Sequence, residues 1–314
     1  MTKPGVTTHP APTRAELEQA FPATVTPPSF APSRMERAIR ALGELPPFSP
    51  ILNRLMASLA EESVSMAELA DLIEKDAALA GNVLALVNSS IYGRRSTVSS
   101  VRHALSLLGV RKIRNVALGM SVTGMWSQSR YPQGWSTAAF NMHSAATAVL
   151  ADMLAVQAAV EYPEGAFAAG LLHDLGRLLI ATALPVEFLD LERRRNAPCA
   201  NERECEQAVL GFTHEELSER ALRTWRLPEP IIHAVGLHHA AAPEITEGVE
   251  IPLAVVLMAA DRYVTSIGLG ESGAAPAAQP DEAALDSLRL TRPRVEKILT
   301  AFETEFAAVA PLFR

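Results

Sequence analysis

The segment running from Phe167 to Ile180, Phe-Ala-Ala-Gly-Leu-Leu-His-Asp-Leu-Gly-Arg-Leu-Leu-Ile, constrains this chain more than any other. It reads as a helix that is apolar nearly all round, which places it in a core. Near its centre stands an adjacent pair, His173-Asp174. An ionised carboxylate in an apolar setting is costly unless something neutralises it. Asp174 must therefore meet a metal, a protonated histidine, an arginine or several donors. The chain supplies further candidate ligands at intervals: His143, His214, His238, His239 and Asp261.

Each of these residues also has an ordinary structural reading. His143 could be a core histidine bonded to a carbonyl. His214 opens a capped helix, where a neutral histidine is often exposed. His239 could lie at the surface near a helix end, favoured there by the helix dipole. Asp261 could pair with Arg262, and Asp174 with Arg177. His103 and His233 read as plain helical residues, and Trp126, Trp135 and Trp225 as packing anchors.

The rest of the chain is helical in pattern. Leu52, Leu55, Met56 and Leu59 recur at three- and four-residue steps. Ser65-Met-Ala-Glu68 and Thr213-His-Glu-Glu216 are capping boxes that start helices. Asp76 caps a helix over 77–87, and Ser99 or Ser100 caps one that Gly109 ends. Further helices are expected at about 135–160, 165–183, 186–196 and 252–267, with a last one starting at Thr291. No strand alternation is sustained, so the fold class is all-α. Residues 1–33 hold seven prolines and read as a disordered leader. Residues 34–127 form an N-terminal helical part, joined through a polar break at 127–134 to a second helical domain over 135–267. A flexible loop at 268–280 and a helical extension over 281–314 follow.

The net charge of −7 argues against nucleic-acid binding, which needs a basic face. No apolar run of the ~18–20 residues needed to span a bilayer is evident, so no membrane association is expected. Cys199 and Cys205 are too few for a disulfide framework and read as free thiols in a reducing cytosol.

Several short motifs occur in an ordered series. They are Leu45-Pro-Pro-Phe-Ser-Pro50, Leu69-x-x-Leu-Ile-x-x-Asp76, Val87-Asn-Ser-Ser-x-Tyr-Gly93 and Ala104-Leu-x-x-Leu-Gly109. In the second half come Gly170-Leu-Leu-His-Asp-Leu-Gly176, Gly211-x-x-His214, Trp225-x-Leu-Pro228 and His238-His239. Over roughly residues 40–265 this series resembles the HDOD (HD-related output domain) family. The resemblance implies an N-terminal helical bundle packed against a domain of the HD metal-phosphohydrolase type. It also implies a cytoplasmic regulatory output module in bacterial signal transduction, binding signalling proteins or a nucleotide, without efficient catalysis. A homo-oligomer is compatible with that role.

The alternative is a metal-dependent phosphohydrolase acting on a nucleotide or phosphoester. In the related enzymes with a Gly-Tyr-Pro motif, ligands run in the order His, His-Asp, His, His-His, Asp. Here that order is filled by His143, His173, Asp174, His214, His238, His239 and Asp261. The resemblance thus implies one or two divalent ions (Fe, Mn, Zn or Mg). Asp174 and Arg177 would serve catalysis if there is any. Two departures oppose cyclic-dinucleotide hydrolysis. Ala-Ala-Ala-Pro-Glu follows His239 in place of the Gly-Tyr-Pro segment, and Arg177 stands where a lysine is expected.

Overall fold

Capping and apolar spacing set out fifteen α-helices among the described residues of the computed structural model, which are 32–43, 49–59, 65–93, 97–127, 129–195, 202–240, 248–270, 277 and 279–313. The helices are α1 (Arg34–Ala41), α2 (Pro50–Ala57), α3 (Met66–Glu74), α4 (Ala77–Val87), α5 (Val101–Leu108), α6 (Val110–Trp126), α7 (Thr137–Gln157) and α8 (Ala166–Leu172). They continue as α9 (Leu175–Ala183), α10 (Pro185–Arg195), α11 (Glu202–Leu210), α12 (His214–Thr224), α13 (Glu229–Leu237), α14 (Leu253–Val264) and α15 (Arg292–Val309). The one β pairing among the described residues is an isolated bridge between Val160 and Ile251. The chain is all-α, as its pattern indicates. Most of the proline-rich leader, and most of the 268–280 loop, lie outside the described residues.

The caps form where the sequence places them. The side chains of Ser65 and Thr213 each accept from the backbone three residues on, and their own backbone N–H groups donate in return to the Glu68 and Glu216 carboxylates. Asp76 accepts from Ala78 and Leu79, and Ser100, rather than Ser99, accepts from His103 N. The Asn88 side chain donates to Leu84 O and to Val98 O and accepts from Val98 N, all within 2.9 Å. It ties the end of α4 to the approach to α5, a task that needs a donor and an acceptor on one short side chain.

At the centre lies α7, which packs against α8, α14 and α15. Twelve of its residues are buried, on every side of the helix, as expected of a helix with no solvated face. By length and composition, Thr137–Gln157 and the run Pro163–Ala183 could each cross a membrane. This corrects the expectation that no such run exists. Small residues such as alanine dilute the hydropathy of both, so neither stands out by eye. Both are mostly buried inside the fold. Arg34–Arg314 forms one unit with a continuous core that includes residues of both helical parts. Trp126 is fully buried, donates to Asn141 Oδ1 at 2.9 Å and meets Phe140 edge-on. It is the packing anchor its position suggests.

Cys205 is buried on α11 and disulfide-bonded, which corrects the free-thiol reading; Cys199 lies outside the described residues. Counting cysteines weighs frameworks and compartments, not local proximity, and the cytoplasmic expectation loses that support.

Candidate metal centre

The expected single helix across His173-Asp174 is in fact two. α8 ends at Leu172 and α9 begins at Leu175, with Asp174 at φ −97°, ψ 16° between them. This bridge region is where site residues are often found. Asp174 precedes α9, yet its side chain makes no capping bond. It turns instead toward the adjacent His173 and toward histidines from three other parts of the chain.

Two glycines allow this gathering. A Cβ on Gly170 would lie 2.6 Å from Ala148 Cα, so α7 and α8 touch backbone to backbone there. A Cβ on Gly176 would lie 2.1 Å from His214 O, so the start of α12 rests on α9. Gly176 N also donates to Ser218 Oγ at 2.7 Å. These contacts bring in His143 from α7 and His214 from α12. His238 and His239 follow α13, and Asp261 comes from α14.

All seven residues singled out in the sequence converge. His143 Nε2 lies 3.1 Å from His173 Nε2, 3.5 Å from Asp174 Oδ2 and 3.2 Å from Asp261 Oδ1. His173 Nε2 is 3.2 Å from Asp174 Oδ2. On the other carboxylate oxygen, Asp174 Oδ1, His214 Nε2 closes to 3.2 Å and His238 Nε2 to 3.6 Å. His239 Nδ1 is 3.8 Å from Asp261 Oδ2. The ligand atoms thus fall into two sets, each within 4.8 Å: His143, His173 and Asp261, and Asp174, His214, His238 and His239. Asp174 faces one set with each oxygen.

The outward ring nitrogens decide what the inward ones can do. His143 Nδ1 meets Leu269 O at 3.0 Å, His173 Nδ1 meets Gly170 O at 2.8 Å, and His238 Nδ1 meets Val235 O at 2.6 Å. A carbonyl only accepts, so each Nδ1 carries the proton and donates it. In the neutral ring the Nε2 lone pair then points inward. Metal-bound histidines are held in this way, with the far N–H given to a carbonyl or carboxylate. Asp174 Oδ1, His214 Nε2 and His238 Nε2 are buried without a well-formed hydrogen bond, having only ion-pair contacts with one another and with Arg177. Buried polar atoms rarely stay unsatisfied unless something else fills the role. Imidazole and carboxylate donors, orphaned and convergent, fit a divalent ion, and these groups could hold a metal.

Two acids escaped the sequence reading. Glu206 of α11 is buried and accepts from His214 N at 2.8 Å and from His214 Nδ1 at 2.8 Å. It orients that imidazole as the carbonyls orient the others. Glu215, also buried, pairs with Arg203 at 2.5 Å and lies 3.4 Å from His214 Nδ1. Both sit in runs of charged residues that look solvated, and no spacing rule marks them. Asp261 does not pair with Arg262, which binds Asp281. Arg177 does reach Asp174, with Nε 3.2 Å from Oδ1, while its outer edge holds Glu202. His103 is exposed, and His233 pairs with Glu229 on the surface.

Charge in the cluster is balanced by opposing effects. Burial pushes the His143 and His173 imidazoliums down. The bonds to Asp174 and Asp261, and their charge, outweigh this and lift the pKa to about 10 and about 9. The same contacts hold both aspartates well below the usual carboxylate range, against the burial that would raise them. His238 is pushed down by burial, and His239 falls to about 3 through burial and the charges of His238 and His214. The two Nε2 atoms 3.1 Å apart disfavour two protons there. Metal-free protein at pH 8 is therefore expected to hold at least one proton on the His143–His173 pair. A metal takes neutral imidazole, so loading must expel that proton. Adding Zn2+ to metal-free protein in weak buffer at pH 8 should release at least one proton per chain, read by a pH indicator. The release should shrink as pH rises through about 9 to 10, where the pair loses its protons.

A helical core with an inward His/Asp cluster at the joint of α8 and α9 defines an HD-type domain. The HDOD domain profile matches residues 45–241, and the chain belongs to that family. A solved HDOD domain protein of unknown function from Geobacter sulfurreducens shares 23% identity over 89% of this chain and 98% of that one, with a TM-score of 0.71. A structure from Marinobacter aquaeolei VT8, named for signal transduction, shares 23% identity over 89% of this chain and 65% of its own, with a TM-score of 0.69. One from Shewanella amazonensis SB2B, named a phosphohydrolase, shares 19% over 88% of this chain and 98% of its own, with a TM-score of 0.66. At these identities the likeness concerns the fold. An uncharacterized protein of Treponema pallidum (strain Nichols) is 22% identical over 212 residues, 63% of this chain. The chain spans 38% of the length of that curated relative.

Proposed function

We propose that this protein is a regulatory HDOD module in signal transduction that keeps a divalent-metal centre at His143, His173, Asp174, His214, His238, His239 and Asp261, and acts by binding rather than by efficient turnover. The observation that carries this reading is a ligand set that is complete and yet closed. The two aspartates and His143, His173, His214 and His238 are all buried, and the most open member, His239, has a side chain only 27% exposed. Arg177, the nearest cation, is occupied by Asp174 and Glu202. Among the described residues, the ligand atoms themselves are thus closed off from a substrate phosphate, and the cation beside them is already engaged by carboxylates. The histidine-rich donors suit Fe, Mn or Zn better than Mg, which prefers oxygen ligands and keeps its waters. Signalling proteins are the partners this role implies.

One observation favours the hydrolase reading. Asp174 offers one oxygen to each histidine set, as a carboxylate bridging two ions would. Bound metal would lower the pKa of a water and orient a phosphate. Elemental analysis of anaerobically purified protein, with assay of bis-p-nitrophenyl phosphate cleavage on the same sample, separates the outcomes. At least one equivalent of transition metal with no cleavage above the metal-free control is expected. Metal with sustained turnover would favour the hydrolase, and no metal under these conditions would overturn the metal centre.

A further inference from the structure

A cavity of about 210 Å3 opens beside the metal centre, between the start of α7, α9, α10 and the side of α11. Its apolar wall is aromatic. Trp135 lies 5.2 Å from Phe140 and 6.0 Å from Phe188 between ring centroids, and Tyr131 stacks behind it at 5.3 Å. Its polar wall holds two guanidiniums, Arg177 and Arg195. Both grip one carboxylate: Glu202 accepts from Arg177 Nη2 at 2.8 Å and from Arg195 Nη2. Arg195 is also 2.9 Å from Glu192, another wall residue.

A carboxylate held between two arginines marks a place suited to an oxyanion, and paired forks of this kind hold phosphate equally well. The aromatic wall next to it offers stacking to a flat ring. Glu192 and Ser136 add polar groups for the edge of that ring. Size limits the choice. Pockets for drug-sized ligands run to roughly 300–1,000 Å3. This one is smaller and takes one ring system with its phosphate at the mouth. A ligand with two bases exceeds it.

We infer that this cavity is a mononucleotide-binding site, in which a base stacks on Trp135 and a phosphate displaces Glu202 from Arg177 and Arg195. This deepens the regulatory reading and rests on it by naming the ligand class. It also gives the ligand a route to the metal centre. Arg177 is shared with Asp174, and the cavity wall includes Glu206, which orients His214. Displacing Glu202 changes what Arg177 must neutralise, and so the field at Asp174.

Calorimetric titration of the full chain with GMP, AMP, guanosine and inorganic phosphate tests this. Saturable binding is expected for GMP or AMP, at least tenfold tighter than for guanosine or phosphate alone. Arg195→Ala should weaken the nucleotide at least tenfold and leave guanosine unchanged. Trp135→Ala should weaken both. Glu202→Gln removes the competing charge and should tighten the nucleotide severalfold, a gain that damage to the fold would not produce. Absence of saturable nucleotide heat would overturn the site, as would binding indifferent to Arg195→Ala and Glu202→Gln. Those arms are read on protein as purified. In a parallel sample dialysed against chelator, with helicity checked by circular dichroism, nucleotide binding should persist. Loss of binding from a still-folded sample would place the nucleotide on the metal and overturn the cavity site. Normal metal content without nucleotide heat sinks only the cavity, whereas nucleotide binding without metal sinks only the metal centre.

Discussion

Asp174→Asn is expected to strip the centre of metal, lowering divalent-ion affinity by more than the 10–100-fold typical of losing a residue that merely supports a ligand. Asn keeps the shape but loses the charge and places an NH2 where one of the two oxygens stood. Oδ2 meets His143 and His173, and Oδ1 meets His214 and His238, so the substitution damages both sets whichever way the amide turns. Metal content of the purified variant should fall from at least one equivalent to a background trace.

The metal-free variant should also be less stable than the metal-free parent. Removing one partner of a buried ion pair costs about 3–5 kcal/mol, because the other is left charged without compensation. Here the group left behind is the His143–His173 pair, whose pKa values are raised to about 10 and about 9 against the burial that lowers them. The sign with pH follows from both partners. A raised histidine contributes its full stability below the unfolded pKa of ~6.5 and loses it as pH climbs through the folded values. A lowered aspartate contributes above its unfolded pKa of ~4 and loses its share as pH falls through the folded one. The difference between parent and variant should therefore be greatest between about pH 4 and 6.5, and should shrink toward pH 9–10. Urea titrations of chelated samples at several pH values measure it. A flat difference across that range would mean that the imidazoles are not charged against Asp174.

The convergence of the residues singled out in the sequence was legible in part because buried charge is expensive without a partner. Asp174 in an apolar run demanded a partner, and histidines in a fixed order supplied the candidates. What hid was local geometry. The break between α8 and α9 left no mark in the periodicity, since His173 and Asp174 occupy a turn without shifting the apolar stripe. Glu206 hid because a buried acid among exposed ones looks the same in one dimension; only its contact with His214 Nδ1 reveals its role. Cys205 hid for a related reason, because pairing depends on proximity that a count does not see. Trp135 looks in one dimension like a packing residue, and it does pack against Phe140 and Phe188, yet it also lines the cavity. The capping boxes at Ser65 and Thr213 were fully legible, since both partners lie within four residues of one another.

The same substitution at two glycines should act with opposite sign, although the sequence does not distinguish them. Gly124 lies on an exposed part of α6, and a Cβ there would meet nothing within 4 Å. Gly124→Ala should stabilise the protein by up to about 1 kcal/mol, the helix-propensity difference between the two residues. At Gly176 the same gain is available but outweighed. Its Cβ would lie 2.1 Å from His214 O and 2.9 Å from His214 C, and these are backbone atoms that no rotamer change can move aside. Relief requires α12 to back away from α9, which also strains the Gly176 N–Ser218 Oγ bond. Overpacking of a tight core costs about 1–3 kcal/mol, and more where backbone must shift. Gly176→Ala is therefore expected to destabilise by about 3 kcal/mol despite its better propensity. Because the displaced residue is His214, whose Nε2 is 3.2 Å from Asp174 Oδ1, metal affinity should fall along with stability. Thermal melts with and without added Zn2+ separate the two effects. The parent should gain stability from the ion, Gly124→Ala should gain as much, and Gly176→Ala should gain little. A full gain in Gly176→Ala would show that α12 can move without disturbing His214, and that the close approach at Gly176 serves packing alone.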